Sequence, residues 1–163
     1  MKITNKWQAL MLAGATALIF PTDSRADVGD VSRWVGHGVA YDAETVEVKT
    51  PYLIEIIAIE VSASQIDRTT KNVFPNGMVR ETHCITTHSD NGKAVIQCDD
   101  SFGESILIGN MIQRVLHKND GTTIRTTVVI SANDTHREVL RTRFSSEGDA
   151  LGYSREALDL IEN

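Results

Sequence analysis

The feature that most restricts the fold of this chain is a series of short alternating segments joined by Gly-containing turns. Apolar and polar residues alternate over residues 78–89 and again over residues 93–99, on either side of Asp90-Asn91-Gly92. The same arrangement surrounds Asn119-Asp120-Gly121, between residues 111 and 131. Alternation with period two indicates strands with one buried face, and a short loop ending in Gly between two such strands is typical of a hairpin. The sequence therefore predicts two β-hairpins.

Three further segments predict strands outside the two hairpins. Residues 34–41 (WVGHGVAY) predict the first strand, and residues 136–144 alternate after the second hairpin. Residues 52–62 (YLIEIIAIEVS) are apolar on both parities and rich in β-branched side chains, which favours a strand buried on both faces over a surface helix. Residues 155–161 predict a short C-terminal helix with Ser154 as its N-cap.

The segment between the two hairpins supports two interpretations. Ser101-Phe102-Gly103-Glu104 matches a helical capping box, and the apolar residues that follow it recur at helical spacing. Gly109-Asn110 lies in the middle of the segment, however, and both residue types are poor helix formers. A strand is favoured, and a helix at about 102–118, which would make the fold α+β, stays open as the alternative.

The regular spacing of turns predicts the fold class. We expect a mainly β protein, an antiparallel meander that closes as a small barrel or folds as a sandwich, with a short C-terminal helix. Lipocalins, which also form such meanders, typically carry Gly-x-Trp on their first strand. Here the order is Trp34-Val35-Gly36, so the sequence is assigned to no family.

The chain has two cysteines, and the first hairpin places them opposite one another. If Asp90-Asn91-Gly92 is a three-residue loop closed by Gly, Ser89 faces Lys93 and Cys84 faces Cys98. Opposed residues in a sheet have Cβ atoms about 4.5–5.5 Å apart, close enough for a disulfide after a modest local adjustment. A two-residue loop would instead turn the second cysteine to the other face of the sheet. The sequence therefore predicts a disulfide between Cys84 and Cys98.

The N-terminus has the three-part pattern of a secretory signal peptide. Two lysines precede an uncharged stretch, residues 7–20, and small residues stand at the −3 and −1 positions of a cleavage site between Ala26 and Asp27. The stretch is shorter than the roughly 20 apolar residues that a membrane-spanning helix needs. We therefore expect a signal peptide at residues 1–26, one mature β-rich domain at residues 27–163, and a periplasmic or secreted protein without a stable membrane anchor.

The charge of the mature chain disfavours nucleic acid as a partner. Residues 27–163 contain 13 basic and 21 acidic residues, a formal net charge of −8. Phosphate backbones repel such a surface, and the same holds for anionic membranes. An unknown small molecule or an envelope protein is the expected partner.

The candidate ligand residues are basic. His37 lies between two glycines, which permit close approach of a ligand. Three arginines share one face of residues 136–144, taken here as the outer face, and with one arginine of the neighbouring strand they would form a basic stripe for an anionic ligand. These four residues are Arg125, Arg137, Arg141 and Arg143.

No motif in the sequence identifies a reaction. The chain lacks a Gly-x-Ser-x-Gly elbow, a Gly-rich phosphate loop and a calcium-loop pattern. His83 and His88 lie near Cys84, but the hairpin register separates them and no CxxC or HxxxH spacing occurs, so neither a metal nor a cofactor is expected. The favoured function is a non-catalytic binding or interaction protein of the bacterial envelope or extracellular space. The alternatives are an accessory subunit of an envelope or secretion assembly and a small secreted enzyme with its site in a barrel mouth.

Overall fold

The computed structural model describes residues 29–89 and 91–162. The predicted signal peptide and its cleavage site therefore lie outside the described residues. The described part consists of ten strands: β1 (Val31–Asp42), β2 (Val48–Ser62), β3 (Gln65–Val73), β4 (Val79–His88), β5 (Lys93–Cys98), β6 (Ser101–Ile108), β7 (Met111–Lys118), β8 (Thr123–Ile130), β9 (His136–Phe144) and β10 (Ala150–Glu162).

The ten strands form one closed antiparallel barrel. Each strand pairs with its neighbour in the chain, and β10 pairs with β1 to close the sheet. Ring closure leaves no unpaired sheet edge. The expectation of an antiparallel meander that closes as a small barrel is confirmed.

The predicted C-terminal helix is wrong. The segment from Arg155 to Ile161 belongs to β10, whose residues pair with β9 on one side and β1 on the other. Ser154 accordingly lies within the strand and caps no helix. Pairing with two neighbours satisfies the backbone groups of this segment, and this tertiary requirement overrides its local helix propensity.

The helix considered at about 102–118 is also wrong, and the favoured strand interpretation is confirmed. The segment forms β6 and β7, joined by a turn at Gly109-Asn110. Gly109 has a φ of 61°, a left-handed conformation that glycine adopts without steric cost. The two residues that weakened the helix interpretation are therefore the turn itself.

One strand was not predicted from the sequence, and one interpretation needs correction. Residues 63–77, a polar stretch that ends in the turn signature Phe74-Pro75-Asn76-Gly77, contain the regular strand β3. The Ile-rich strand β2 is not buried on both faces: Tyr52 and Ile54 face the interior, whereas Leu53 is 63% exposed. Side chains in the barrel interior cover the inner face of β2, and its outer face is open to solvent.

The apolar core occupies one wall of the barrel interior. It consists of inward side chains from β1, β2 and β8–β10: Trp34, Tyr52, Ile54, Val128, Ile130, Val139 and Leu158.

No helix in the part of the chain that the structure describes is long and apolar enough to cross a membrane.

The first hairpin has the register predicted from its loop. Cys84 lies opposite Cys98 on β4 and β5, and their sulfurs form a disulfide of 2.07 Å. The Ser89 amide donates to the Lys93 carbonyl across 2.8 Å, and Gly92 has a φ of 74°, as a three-residue loop closed by left-handed glycine requires. The predicted disulfide is confirmed.

Candidate functional site

The interior of the barrel contains a cavity of about 240 Å³. Closed barrels of eight strands are nearly filled by their own side chains, and additional strands widen the interior. Among the described residues that line the cavity, one has a carboxylate, Asp100, and seven are cationic: Arg68, Arg80, Arg114, Lys118, Arg137, Arg141 and Arg143. An acidic protein thus encloses a strongly basic space.

A second, larger concavity of about 600 Å³ lies along the outside of β5–β8. Its walls are outward side chains such as Val95 and Phe102, which are 58% and 60% exposed. Because this depression is open and its surface is mostly apolar, the barrel interior is the better candidate site.

The mouth of the cavity lies at the barrel end where β5 meets β6 and β7 meets β8. Arg80 and Arg143 are exposed there. The Lys118 ammonium lies 2.7 Å from the Asp100 carboxylate. This contact is the largest cause of a lowered pKa at Asp100, so the carboxylate is ionised and neutralises the lysine. The two exposed arginines leave the rim positively charged.

Deeper in the cavity are two arginines that have no counter-ion among the described residues. The Nε–H groups of Arg68 and Arg114 are inaccessible to solvent and donate to no described acceptor, and no described carboxylate forms an ion pair with either side chain. Burial, followed by the positive charges of Arg141 and Arg137, lowers the pKa of Arg68 to about 10. Burial and the charge of Arg68 likewise lower the pKa of Arg114. A pKa of about 10 leaves Arg68 protonated at neutral pH, and arginine side chains in general keep their charge in proteins.

Arg141, the third deep arginine, is neutralised by a buried carboxylate. Its Nη2 atom lies 2.9 Å from Oε2 of Glu156, whose side chain is fully buried. The Tyr52 hydroxyl donates to Oε1 of the same carboxylate across 2.7 Å. Burial, followed by the charge of Glu156, raises the pKa of Tyr52, so the phenol stays a neutral donor. These contacts fix the guanidinium of Arg141 at the cavity wall.

Arg137 is also paired, and it covers the indole of Trp34. Its guanidinium carbon lies 3.7 Å from the centre of the indole ring, a cation–π contact. Its Nη2 atom lies 3.0 Å from the carboxylate of Asp134, which has a φ of 52° in the turn between β8 and β9. This left-handed turn residue therefore holds the arginine over the buried ring.

The basic stripe predicted from the sequence is divided by the barrel wall. Arg137, Arg141 and Arg143 do share one face of β9, but that face is the interior and not the outer surface. Arg125 is on the outside of β8, with its guanidinium carbon 5.3 Å from the centre of the Phe144 ring. Placing charges outside is the usual rule for a sheet, and β9 departs from it because its arginines line a cavity.

His37 points away from the cavity. It is exposed on the outer face of β1, whereas the flanking Gly36 and Gly38 face inward. A Cβ atom at Gly36 would lie 1.8 Å from the Ala157 carbonyl, and one at Gly38 would lie 2.4 Å from the Tyr52 ring. The glycines therefore serve the packing of β10 and Tyr52, and the structure brings His37 to no other candidate residue.

Sequence reasoning missed the two unpaired arginines and the buried carboxylate. Arg68 lies in the segment that had been assigned no strand, and Arg114 in the segment with two interpretations. A signal was present in β7, where Arg114 has the same parity as the apolar residues Ile112 and Leu116. Glu156 was hidden by the helix assigned to its segment.

The histidines near the disulfide form no metal site. His83 lies on the outer face of β4, 2.6 Å from the Asp67 carboxylate. Within the described ranges, no three His, Cys, Asp or Glu side chains are grouped closely enough to hold a metal ion.

Fold and site together define a class: a small closed antiparallel β-barrel with a basic interior cavity. Solved structures of similar fold include Rv2717c from M. tuberculosis (12% identity, TM-score 0.57, covering 80% of this chain and 91% of that one). Another is the S-type phycobiliprotein lyase CPES from Guillardia theta (10% identity, TM-score 0.56, covering 80% of this chain and 86% of that one). A third is a protein of unknown function from the DUF3598 family of Nostoc punctiforme (9% identity, TM-score 0.54, covering 79% of this chain and 46% of that one).

At these identities the likeness concerns the fold alone. No protein-family model matches the sequence, and no curated protein matches it. The feature that distinguishes this chain is the basic lining of its own cavity.

Proposed function

We propose that this chain is an exported binding protein that holds a small anionic ligand inside its barrel. One observation carries the proposal: Arg68 and Arg114 face a cavity and, among the described residues, lack any counter-ion. The proposal retains the favoured sequence interpretation, a non-catalytic binding protein of the envelope or extracellular space, and adds the charge of its ligand.

The free-energy cost of an unpaired buried charge supports a ligand. Removing a guanidinium from water costs several kcal/mol unless an opposite charge and hydrogen bonds compensate it. Structural arginines meet this requirement with a carboxylate, as Arg141 does with Glu156. Arg68 and Arg114 do not, so a ligand with oxyanion groups would complete their contacts. Guanidinium forks match carboxylate and phosphate oxygens bidentately.

The dimensions of the cavity favour a small ligand with an apolar part. A volume of about 240 Å³ corresponds to about eight water molecules at the ~30 Å³ that each occupies in the liquid. The cavity lining also includes the apolar side chains of Val128, Val139 and Leu158. A compact organic anion fits this combination of charge and surface better than a long lipid does.

The exported location rests on the sequence together with the disulfide. A disulfide persists in an oxidising compartment such as the periplasm. The accessory-subunit and secreted-enzyme alternatives stay predictions, because no specific contact in the barrel favours either one.

Anion binding is tested by titration calorimetry on the mature protein and on three single variants. Arg68→Gln and Arg114→Gln each remove one unpaired charge from the cavity. We expect each to weaken the binding of small carboxylates and phosphates by about 10- to 100-fold, the loss expected when a charge-assisted hydrogen bond is removed.

Arg155→Gln is the matched control, since Arg155 is exposed on the outer face of β10. It removes the same charge from the protein without touching the cavity, and should leave affinity within about twofold because surface charges contribute little. If all three variants lose affinity equally, or if the wild-type protein binds none of the anions, the proposed function is wrong.

A further inference from the structure

The deep part of the cavity contains two positive charges without a counter-ion among the described residues, and this number constrains the ligand. Of its four most deeply placed arginines, Arg137 is paired with Asp134 and Arg141 with Glu156. Arg68 and Arg114 have no such partner among the described residues. The two charges line one buried space, where like charges repel one another. Neutrality at this site thus requires two negative charges.

The strand register arranges donors on one wall in a row. On β7, β8 and β9, Arg114, Thr126 and Arg141 are direct neighbours across the sheet. Opposed residues in antiparallel strands have Cα atoms about 4.5–5.5 Å apart, so Thr126 lies between two arginines along this wall. Thr126 is 4% exposed and lines the cavity. Such a row offers several donors to adjacent oxygens of one ligand.

Arg68 comes from a different part of the sheet. It lies on β3, next to the disulfide residue Cys84 in register, and it lines the same cavity as Arg114 of β7. The two unpaired groups therefore approach the same space from different strands. A ligand between them would contact both.

We infer that the ligand is a small dianion whose oxygens lie between Arg68 and Arg114, beside Thr126. This inference rests on the proposed function and specifies its substrate class: two negative charges on oxygen, as in a phosphate monoester or a short dicarboxylate. Glu156 has a positioning role, because it neutralises Arg141 and keeps that guanidinium at the end of the donor row without adding an uncompensated charge.

Two matched pairs of probes test the charge requirement by calorimetry at pH 8 and constant ionic strength. Methyl phosphate is a dianion at this pH and dimethyl phosphate a monoanion of similar size; malonate and malonamate form the corresponding carboxylate pair. For at least one pair we expect the dianion to bind about 10- to 100-fold more tightly. The pair that shows the preference distinguishes a phosphate ligand from a dicarboxylate.

The single variants Arg68→Gln and Arg114→Gln should reduce this preference to less than about threefold. Each variant keeps only one of the two unpaired arginines, so the second negative charge of the probe has no cationic partner. Arg155→Gln should leave the preference unchanged. Circular dichroism of each variant verifies that it is folded. The comparison of dianions with monoanions on the wild-type protein does not depend on the variants.

Two negative results have different meanings. If monoanions bind the wild-type protein as tightly as dianions in both pairs, while Arg68→Gln still weakens binding, the dianion inference is wrong and the anion-binding function stands. If no probe of either charge binds, the proposed function itself fails.

Discussion

Arg68 shows how one residue can favour binding at the expense of stability. Its Nε atom is buried without a partner among the described residues, beside a disulfide and within the electrostatic influence of two other guanidinium groups, those of Arg137 and Arg141. In a protein selected for stability alone, an apolar side chain would fill this position at lower free energy. This unfavourable free energy is the physical reason for proposing that the cavity binds an anion.

Replacing Arg68 with methionine should stabilise the ligand-free protein. Methionine keeps the length of the side chain and removes the desolvated charge, so we expect the free energy of unfolding to rise by on the order of 1 kcal/mol. Urea denaturation in a low-salt buffer without phosphate or carboxylates measures the change.

Arg155→Met, on the outer face, should alter stability by less than about 0.5 kcal/mol and serves as the control. Destabilisation by Arg68→Met would mean that the guanidinium has a structural role, contrary to a ligand-binding one.

At the scale of elements, the hairpin of β4 and β5 joins the stability of the barrel to the position of the site. Its disulfide links Cys84 to Cys98 across the two strands, and both residues line the cavity. Arg68 is the register neighbour of Cys84 on β3. The cross-link therefore supports the strand beside an unpaired arginine.

The double variant Cys84→Ser, Cys98→Ser should lower the free energy of unfolding by about 2–5 kcal/mol, because removing a native bridge from a small exported domain releases its unfolded chain and perturbs its packing. Thermal denaturation of the two proteins measures the loss. If the variant is as stable as the wild type but has lost anion binding, the cysteines belong to the function rather than to the scaffold.

β10 shows the limit of local patterns at the same scale. Its residues 155–161 have a sequence compatible with a helix, yet the strand pairs with the backbone groups at the edges of both β1 and β9. Closing the ring pairs every one of those edge groups, and a helix in this position would leave two open edges.

For the whole molecule, the distribution of charge is the distinctive property. The chain has a formal net charge of −6, while its cavity is lined by cationic side chains with a single carboxylate among the described residues that line it. Acidic residues are consequently concentrated on the outer surface, which favours solubility. Arg80 and Arg143 at the mouth supply a local attraction for an anion that approaches this surface.

Export is a property of the whole chain and is tested on the whole chain. The protein produced in a Gram-negative host should lose residues 1–26, because small residues precede the predicted cut and the apolar stretch is too short to anchor. N-terminal sequencing of the extracytoplasmic form should begin at Asp27. An extracytoplasmic form that begins at Met1 would contradict the signal peptide.

The sequence by itself determined whatever depends on neighbours along the chain. The turns at Asp90-Asn91-Gly92 and Asn119-Asp120-Gly121 specified two hairpins, and the first of them specified the pairing of Cys84 with Cys98. Period-two alternation followed by tight turns is a local property, and it was enough to predict an antiparallel meander that closes as a barrel or folds as a sandwich.

Only the tertiary structure decided which face of each strand is the interior. The alternation of β9 is the same whether Arg137, Arg141 and Arg143 point outward or inward, and ordinary burial preferences chose the wrong face. Ring closure set the inward face, converted the C-terminal segment into β10, and brought Arg68 and Arg114 together from strands that are far apart in sequence. Their charges meet because of the register of the closed sheet, and no local pattern contains that information.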